Sequence, residues 1–243
     1  MKASVMLSGN AALAQQDFAV LPELYSPAGV AALLACVERA PAQGPNFRRS
    51  RELFAIRNLL GEVPDLWPLL QTDALRQLLT DLFPAGCQLV KSIYFDKPAQ
   101  SNWLVAWHQD LMISVSQRAE LAGYGPWTNK DGDVAVLPPA AILENMVTLR
   151  IHLDDCDASN GALKVVPASH LAGVLSPGEL PARTGNATVC EVPAGGAMLM
   201  KPLLLHASNR STSARPRRVI HLEFASAELP APLQWRERQP VTA

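Results

Sequence analysis

The sequence lacks the features that mark nucleic-acid-binding and membrane proteins. Lys and Arg number 21 against 22 Asp and Glu, a formal net charge of −1. These charges are interspersed, so the chain has no basic stripe of the kind that a phosphate backbone requires. No apolar run approaches the ~18–20 residues needed to cross a bilayer, and no basic segment precedes a continuous apolar core at the N-terminus. We therefore expect a cytoplasmic protein that binds neither nucleic acid nor membrane.

Cysteine is scarce as well. The chain has four cysteines, Cys36, Cys87, Cys156 and Cys190, and no two of them form a CxxC pair. Such wide spacing is typical of reduced, partly buried thiols and not of a disulfide framework or a zinc knuckle. Hydrophobic residues make up 49% of the 243 residues, which is enough to bury a sizeable core. We predict a single domain over residues 1–243.

Residues 1–84 carry mainly helical patterns after an extended stretch at Phe18–Tyr25. The clearest helix start is Ser26-Pro27, because Ser26 can cap free backbone N–H groups and proline is favoured at the first helical position. This helix is predicted to span Pro27–Arg39. The other predictions for this part are a loop at Pro41–Ser50 and helices at Arg51–Leu60 and Pro64–Leu70. A further helical stretch is predicted to follow Thr72 and to run through Leu75, Leu78, Leu79 and Leu82. These helices are expected to cover one face of a sheet that follows them.

After Pro84 the pattern changes from helical to strand-like. The predicted strands are Gln88–Phe95, Trp103–Ile113, Met146–Leu153, Leu163–Val166, Thr188–Val192, Met198–Ala207 and Arg218–Ala225. Consecutive strands with Gly and Pro between them, and no intervening helices, are typical of an antiparallel all-β architecture. We predict a mainly β fold, with a jelly-roll core over residues 85–228.

One connection within this β region is unusually long. Ser116–Ile142 contains several Gly and Pro residues, and loops of this length are usually functional lids or disordered segments. Because it leaves the strand that carries His108, a lid would hang over that part of the sheet. Trp127 and Lys130 are then predicted to contact a substrate. The alternative is a flexible surface insertion.

The stretch WLVAWHQDLMIS at Trp103–Ser114 contains the triplet His108-Gln109-Asp110. Alternate side chains of a strand share one face, so His108 and Asp110 are predicted to project together, with Gln109 packed behind them. One imidazole and one carboxylate supply two ligands of the two-histidine, one-carboxylate site that holds non-haem Fe(II). By itself the triplet is weak evidence, because such pairs also arise by chance.

A third ligand must come from another histidine. His152 and His221 lie inside predicted strands, where they can be buried and neutral, and His170 lies in a predicted surface turn. His206 differs from them because it ends a predicted apolar strand, at the mouth of the sheet. Arg217 follows eleven residues later, and a guanidinium can bind a carboxylate through two parallel hydrogen bonds.

The order H-x-D, then a distant histidine, then arginine resembles the phytanoyl-CoA dioxygenase family of Fe(II)- and 2-oxoglutarate-dependent oxygenases. The matching stretches are WHQDL at Trp107–Leu111, LDDCDASNGALKVVPASH at Leu153–His170, GGAMLMKPLLLHAS at Gly195–Ser208 and RRVIHLEFA at Arg217–Ala225. They occur in the order of the family and together span over half of the chain. The resemblance implies a double-stranded β-helix, in agreement with the predicted jelly roll.

The resemblance also implies roles for individual residues. His108, Asp110 and His206 would hold Fe(II), and Arg217 would bind the distal carboxylate of 2-oxoglutarate with help from Ser208. The implied cofactors are Fe(II), 2-oxoglutarate and O2. In halogenating relatives the carboxylate position is a small residue, so Asp110 favours hydroxylation. The expected reaction is hydroxylation of a small-molecule substrate with release of succinate and CO2.

Three further residues are predicted near the co-substrate. On Met146–Leu153 the polar residues Thr148, Arg150 and His152 share one face. Arg150, with Thr148 beside it, is predicted to contact 2-oxoglutarate or an anionic substrate group, and a structural salt bridge is the alternative for Arg150. Lys91 is predicted to neutralise the co-substrate, unless it is an edge-strand lysine that faces water.

Two hypotheses from different functional classes remain. The first is the Fe(II)- and 2-oxoglutarate-dependent dioxygenase, and the second is a non-catalytic jelly-roll protein that binds a metal or a ligand. A cupin-like isomerase with Zn(II) or Mn(II) is disfavoured by Arg217 and stays open. The sequence specifies neither the substrate nor the oligomeric state.

Overall fold

A computed structural model gives the structure of the chain at residues 2–41, 43–49, 53–97, 104–130 and 132–241. The first residues of two predicted elements, Arg51 and Trp103, lie outside the described residues. The α-helices are α1 Lys2–Gln16, α2 Pro27–Glu38, α3 Leu59–Glu62, α4 Leu66–Leu70, α5 Asp73–Leu82 and α6 Ala140–Glu144. The strands are β1 Phe18–Leu21, β2 Phe47–Arg49, β3 Leu53–Arg57, β4 Gln88–Asp96, β5 Val105–His108, β6 Ile113–Val115, β7 Trp127–Lys130, β8 Asp133–Val136, β9 Met146–His152, β10 Leu163–Val165, β11 Thr188–Cys190, β12 Ala197–Met200, β13 His206–Ser208, β14 Arg218–Ala225 and β15 Gln239–Pro240.

The strands form three antiparallel sheets. In the large sheet the order is β1-β12-β9-β14-β4-β3-β2, and β15 also pairs with β4. The small sheet has the order β11-β10-β13-β5, and a third sheet has the order β6-β8-β7. The fold is a double-stranded β-helix, so the predicted mainly β class is confirmed. Among the described residues, no helix is long and apolar enough to cross a membrane.

The N-terminal helices cover the outer face of the large sheet. Leu149 and Ile151 of β9 and Leu222 of β14 belong to one buried cluster with Leu33 of α2 and Leu78 of α5. Burying an aliphatic side chain of this size stabilises the fold by about 1.5–3 kcal/mol. The predicted packing of helices on one face of the sheet is therefore confirmed.

Helix starts that rest on local capping chemistry were predicted well. Ser26 accepts a hydrogen bond from the Gly29 N–H, with Pro27 at the first helical position, so α2 begins where expected. Thr72 accepts a bond from the Leu75 N–H and begins α5 in the same way. These caps involve residues only three positions apart, so the sequence is sufficient to locate them.

The opposite face of the large sheet carries polar side chains towards the small sheet. In register, Glu223 of β14 lies between Lys91 of β4 and Thr148 of β9, and His221 lies between Ile93 and Arg150. All seven residues of β9 are buried, because one face meets the helices and the other faces the interior. The predicted division of β9 into an apolar and a polar face is confirmed.

Two predictions between residues 41 and 60 were wrong. The predicted helix Arg51–Leu60 is instead strand β3 followed by the short helix α3, and the predicted loop Pro41–Ser50 contains strand β2. Strand β3 pairs with β4, with Ile56 opposite Tyr94, and Ile56 is fully buried. This tertiary pairing outweighs the local helical pattern.

The predicted strand Met198–Ala207 was also wrong, because it is two strands in different sheets. Strand β12 ends at Met200, the chain turns with the Leu204 N–H bonded to the Lys201 carbonyl, and β13 begins at His206. Pro202 stands in this turn and has no N–H to donate to a ladder. The predicted strand Trp103–Ile113 similarly ends at His108, and β6 belongs to the third sheet.

The described part of the long connection between β6 and β9 contains regular secondary structure. Its central part is the hairpin β7–β8, in which β8 pairs with β6, and α6 follows. Val136 is fully buried, and Trp127 and Val134 pack against its cluster. We call residues 116–142 the lid.

Candidate metal centre

Three predicted metal ligands come together where β5 and β13 meet. His108 is the last residue of β5, His206 is the first of β13, and the two are paired in register. Asp110 lies beyond the end of β5, so it is presented by a bend and not by a continuous strand as predicted. Its carboxylate oxygens lie 3.6 Å from Nε2 of His108 and 3.6 Å from Nε2 of His206. All three ligand atoms lie within 4.8 Å of one another.

Both histidine rings are oriented by the backbone carbonyl two residues earlier in the chain. The Nδ1 atom of His108 lies 2.8 Å from the Ala106 carbonyl oxygen, and Nδ1 of His206 lies 2.8 Å from the Leu204 carbonyl oxygen. A carbonyl can only accept, so Nδ1 is the protonated nitrogen and Nε2 keeps its lone pair. This second hydrogen bond is what metal-ligating histidines usually have.

The charge states also suit metal binding. Burial lowers the pKa of His206 to about 4, so this imidazole is neutral near pH 7. Burial opposes ionisation of Asp110, but His206, His108 and His221 hold the pKa of its carboxyl well below the usual range. Burial opposes protonation of His108, but the Asp110 carboxylate raises the pKa of this ring above its usual value, so binding of a metal would displace a proton from it. Two imidazoles and one carboxylate form the donor set of a non-haem Fe(II) site.

Gln109 holds this segment from behind, as predicted. Its Nε2 donates to the carbonyl oxygens of Leu203 at 2.7 Å and Gly173 at 2.9 Å, and its Oε1 accepts from the Leu175 N–H at 2.8 Å. The Asp110 N–H donates to the Pro202 carbonyl at 2.9 Å. These bonds hold the bend that presents Asp110 although the strand has ended.

Next to the ligand cluster, the interior has polar atoms that lack a hydrogen-bond partner among the described residues. They are Oγ1 of Thr148, Nε of Arg150, both ring nitrogens of His152, Oγ of Ser208 and Nε of Arg217. Burying a polar group without a partner costs about 1–3 kcal/mol. A bound polyanion that accepts from these hydroxyl and guanidinium groups would remove that cost. The interior therefore fits a dicarboxylate such as 2-oxoglutarate.

The structure adds Lys97 to the predicted residues. Lys97 and Arg217 are both buried, and Arg217 donates through Nη1 to the Gly161 carbonyl at 2.7 Å. Nζ of Lys97 donates to the Asn209 carbonyl at 2.7 Å and would lie 3.0 Å from a Cβ added to Gly161. Burial first, and then Arg217, lower the pKa of Lys97 to about 8. Two buried cations at one glycine provide a site for a carboxylate.

Sequence reasoning missed Lys97 because it lies at a strand end before proline, where a solvent-exposed turn is the usual outcome. The available signal was alternation, since Lys97 continues the inward positions of Lys91, Ile93 and Phe95 along β4.

A chain of hydrogen bonds crosses the interior from Arg150 to Lys91. Nη1 of Arg150 donates to Nδ1 of His221 at 2.9 Å, and Nε2 of His221 donates to Oε1 of Glu223 at 3.1 Å. Nζ of Lys91 lies 3.0 Å from the same carboxylate oxygen. Burial lowers the pKa of His221, which agrees with a neutral ring that both accepts and donates.

The other predicted residues are placed as follows. The Lys91 side chain faces the interior and is about a quarter exposed, so it is not a fully exposed edge lysine. Lys130 lines a cavity beneath the lid. Trp127 instead packs against the buried cluster around Val136, and the Arg118 guanidinium lies 5.8 Å from its ring centroid. His170 lies 3.2 Å from Asp17 and not in an open surface turn.

Comparison with known proteins identifies the family and the fold. The sequence profile described as phytanoyl-CoA dioxygenase (PhyH) matches residues 15–219. No curated protein sequence matches the chain significantly.

Among similar solved structures is AviO1 from Streptomyces viridochromogenes Tue57, with 22% identity, a TM-score of 0.68 and coverage of 93% of this chain and 98% of AviO1. EctD from S. alaskensis has 20% identity, a TM-score of 0.69 and coverage of 96% and 87%. The epimerase SnoN, solved in complex with Fe3+, alpha-ketoglutarate and nogalamycin RO, has 16% identity, a TM-score of 0.69 and coverage of 99% and 97%. At these identities the similarity concerns the fold alone.

Proposed function

Because this chain belongs to the phytanoyl-CoA dioxygenase family of non-haem Fe(II)- and 2-oxoglutarate-dependent oxygenases, we propose that it hydroxylates a small-molecule substrate at iron held by His108, Asp110 and His206. The main support for this proposal is that three metal-ligand atoms lie within 4.8 Å of one another. In addition, each histidine Nδ1 donates to a backbone carbonyl. The cofactors are Fe(II), 2-oxoglutarate and O2. When bound, the iron and its co-substrates supply the oxygen activation and the C–H oxidation, and 2-oxoglutarate is converted to succinate and CO2.

The co-substrate is held by side chains that point into the interior between the large and the small sheet. Arg217 and Lys97 pair with the distal carboxylate, and the Ser208 hydroxyl, two residues after the ligand His206, donates to the same group. Thr148 and Arg150, whose Oγ1 and Nε lack other partners among the described residues, provide donors between this end and the iron ligands. Each of these groups is buried, so they also exclude water from the co-substrate.

The protein leaves part of the metal site accessible. His206 is buried, whereas the His108 side chain is 38% exposed. His108, Asp110 and His206 would hold Fe(II) through three ligand atoms, which would leave coordination positions for the co-substrate and oxygen. The carboxylate of Asp110 occupies the position that must be small for a halide to bind, so we assign hydroxylation and not halogenation.

The proposal is tested by anaerobic titration of the apoprotein with Fe(II) and 2-oxoglutarate. We expect a weak visible charge-transfer band in the wild type and its loss in His206→Ala. His170→Ala is the matched control, because His170 contacts Asp17 and should leave the band unchanged. Exposure of the wild-type complex to air should then produce succinate. A non-catalytic metal-binding protein would produce none. Failure of the reduced, iron-loaded wild type to bind 2-oxoglutarate would refute the proposed function.

We also assign the protein to the cytoplasm. All four cysteines are free thiols, and unpaired cysteines are usual in a reducing compartment. Fractionation of cells that produce the protein should recover it with cytoplasmic proteins, and recovery from a membrane or secreted fraction would contradict this assignment.

A further inference from the structure

A cavity of about 320 Å³ lies beneath the lid. One wall is the inner face of β4, with Lys91, Ile93 and Phe95. Another wall is the third sheet, formed by β6, β8 and β7. Met112, two residues after Asp110, also lines the cavity, and the Phe95 ring contacts His221 edge-on with centroids 5.8 Å apart. Phe95 and Met112 thus connect the cavity to the interior that holds the ligand residues. The cavity volume is at the lower end of the range for ligand sites.

The outer end of the cavity carries two arginines from distant parts of the chain. Arg57 of β3 and Arg236 of the C-terminal segment both bind Asp133 of the lid, through Nη1 atoms 3.2 and 2.9 Å from its carboxylate oxygens. One carboxylate therefore serves two guanidiniums. Each guanidinium has further N–H donors on Nε and Nη2 that can bind a second anion in bidentate fashion.

The inner end is mainly apolar. Ile93, Phe95 and Met112 form a hydrophobic strip in the lining of the cavity, and Met112 follows the ligand Asp110 by two residues. The one cation there, Lys91, is already paired with Glu223 at 3.0 Å. A carbon skeleton can pack on this strip and present a C–H bond to the metal side, while a charged group reaches the arginines.

The charges of the cavity favour an anion. Arg57, Lys91, Lys130 and Arg236 line it together with Asp133 and Glu237. Lys91 is neutralised by Glu223, and Glu237 accepts hydrogen bonds from the backbone N–H and hydroxyl of Ser92. Within the described part of the chain, no carboxylate lies within ion-pair distance of Lys130. The two arginines and Lys130 therefore outnumber the two remaining carboxylates, Asp133 and Glu237, by three to two.

From this arrangement we propose that the substrate is a small organic anion, either a carboxylate or a phosphate ester. Its charged group binds Arg57 and Arg236, and its apolar carbon chain lies on Ile93, Phe95 and Met112. This inference rests on the proposed oxygenase function. Asp133 of the lid hairpin binds both guanidiniums, so it competes with the substrate anion for their donors.

Four probes with the same six-carbon chain test the charge preference: hexanoate, hexyl phosphate, hexanol and hexylammonium. Binding is measured anaerobically by ligand-observed NMR on protein loaded with Zn(II) in place of iron, to avoid paramagnetic broadening, and saturated with 2-oxoglutarate, which blocks the Arg217 site. We expect at least one of the two anions to bind roughly tenfold more tightly than hexanol and hexylammonium, the effect of about one charge-assisted hydrogen bond. The comparison of hexanoate with hexyl phosphate identifies the preferred anion.

Variants then locate the anion. Arg236→Gln and Arg57→Gln should each reduce anion binding about tenfold and leave hexanol binding unchanged. Arg238→Gln is the matched control, because Arg238 binds Gln88 and Glu228 outside the cavity. Asp133→Asn should act in the opposite direction and strengthen anion binding, because it removes the carboxylate that competes for both guanidiniums. This opposite sign separates recognition from a general loss of folding.

The outcomes separate this inference from the proposed function. If the wild type with Fe(II) gives the charge-transfer band, but the four probes bind equally or neither anion binds, the inference is wrong and the oxygenase function stands. The inference is also wrong if Arg236→Gln and Asp133→Asn bind the anion as the wild type does. Loss of the band in the wild type would instead refute the function itself.

Discussion

Substitution of Arg217 should weaken 2-oxoglutarate binding far more than iron binding. Arg217 is 5% exposed, uses Nη1 for the Gly161 carbonyl, and has no partner for Nε among the described residues. Truncating one member of a buried charged pair typically costs about 2–5 kcal/mol. Because Lys97 lies at the same glycine, we take the lower part of this range, about 2–3 kcal/mol, for Arg217→Gln. At about 1.4 kcal/mol per tenfold change, Kd for 2-oxoglutarate should rise roughly 30–150-fold.

The assay is a pair of anaerobic titrations, of Fe(II) into apoprotein and of 2-oxoglutarate into iron-loaded protein. Arg217 is not a metal ligand, so the iron Kd should change by less than about threefold. Such a change is well under the 1.4 kcal/mol that corresponds to about tenfold in Kd. Arg215→Gln is the matched control, because Arg215 is exposed and binds Asp157 and Ser159. Equal losses of iron and 2-oxoglutarate affinity in Arg217→Gln would mean that Arg217 supports the fold and not the co-substrate.

The same variant should acquire a characteristic pH dependence. Its remaining affinity would depend on the Lys97 ammonium, whose pKa is lowered to about 8 in the native site by burial and then by Arg217. A lysine is charged below its pKa, so binding should persist at neutral pH and weaken as the pH is raised through and beyond about 8. Removing Arg217 removes one cause of the lowered pKa, so the midpoint should move upward. A pH-independent Kd would exclude Lys97 from the site.

Three further predictions concern the support of the site and the fold. Gln109→Ala should weaken iron binding about 10–100-fold, the usual effect of losing groups that orient metal ligands, as measured by iron titration. Leu78→Ala should lower the free energy of unfolding by about 2–5 kcal/mol in urea, because Leu78 is fully buried, whereas Leu69→Ala, at a residue that is 38% exposed, should change it little. Burial raises the pKa of Asp17 to about 7, so the stability contributed by its protonated form is present at low pH and lost as the pH rises towards 7. Asp17→Asn should therefore flatten the pH dependence of urea unfolding between about pH 4 and pH 7, and an unchanged profile would contradict the burial of this carboxyl.

Local patterns were sufficient for the elements whose stabilising contacts are close in sequence. The helix α2 has its cap three residues from its partner, and the alternation of β9 separates Leu149 from Arg150 whatever the neighbouring strands are. The predicted bounds of β14, Arg218–Ala225, agree with the structure. Pattern reasoning was wrong for β3 because its partner strand, β4, lies over thirty residues away, and this pairing decides between helix and strand.

The ligand triplet illustrates a correct prediction reached by partly wrong geometry. His108 and Asp110 do project together, but Asp110 is held by its N–H bond to the Pro202 carbonyl and not by strand alternation. The turn at Pro202 also ends β12 and lets His206 start a strand in the small sheet. One proline thus affects two of the three ligands, which no local pattern around His108 could indicate.

The sequence alone determined the chemistry available to this protein: the order of His108, Asp110, His206 and Arg217, the polar face of β9, and the jelly-roll class. It could do so because ligand types, alternation and spacing are properties of short segments. Only the tertiary structure decided which cations share a site. Lys97 meets Arg217 because β4 pairs with β14, and Arg57 meets Arg236 because both reach Asp133 of the lid. Such contacts depend on sheet pairing between distant segments, which composition and periodicity do not encode.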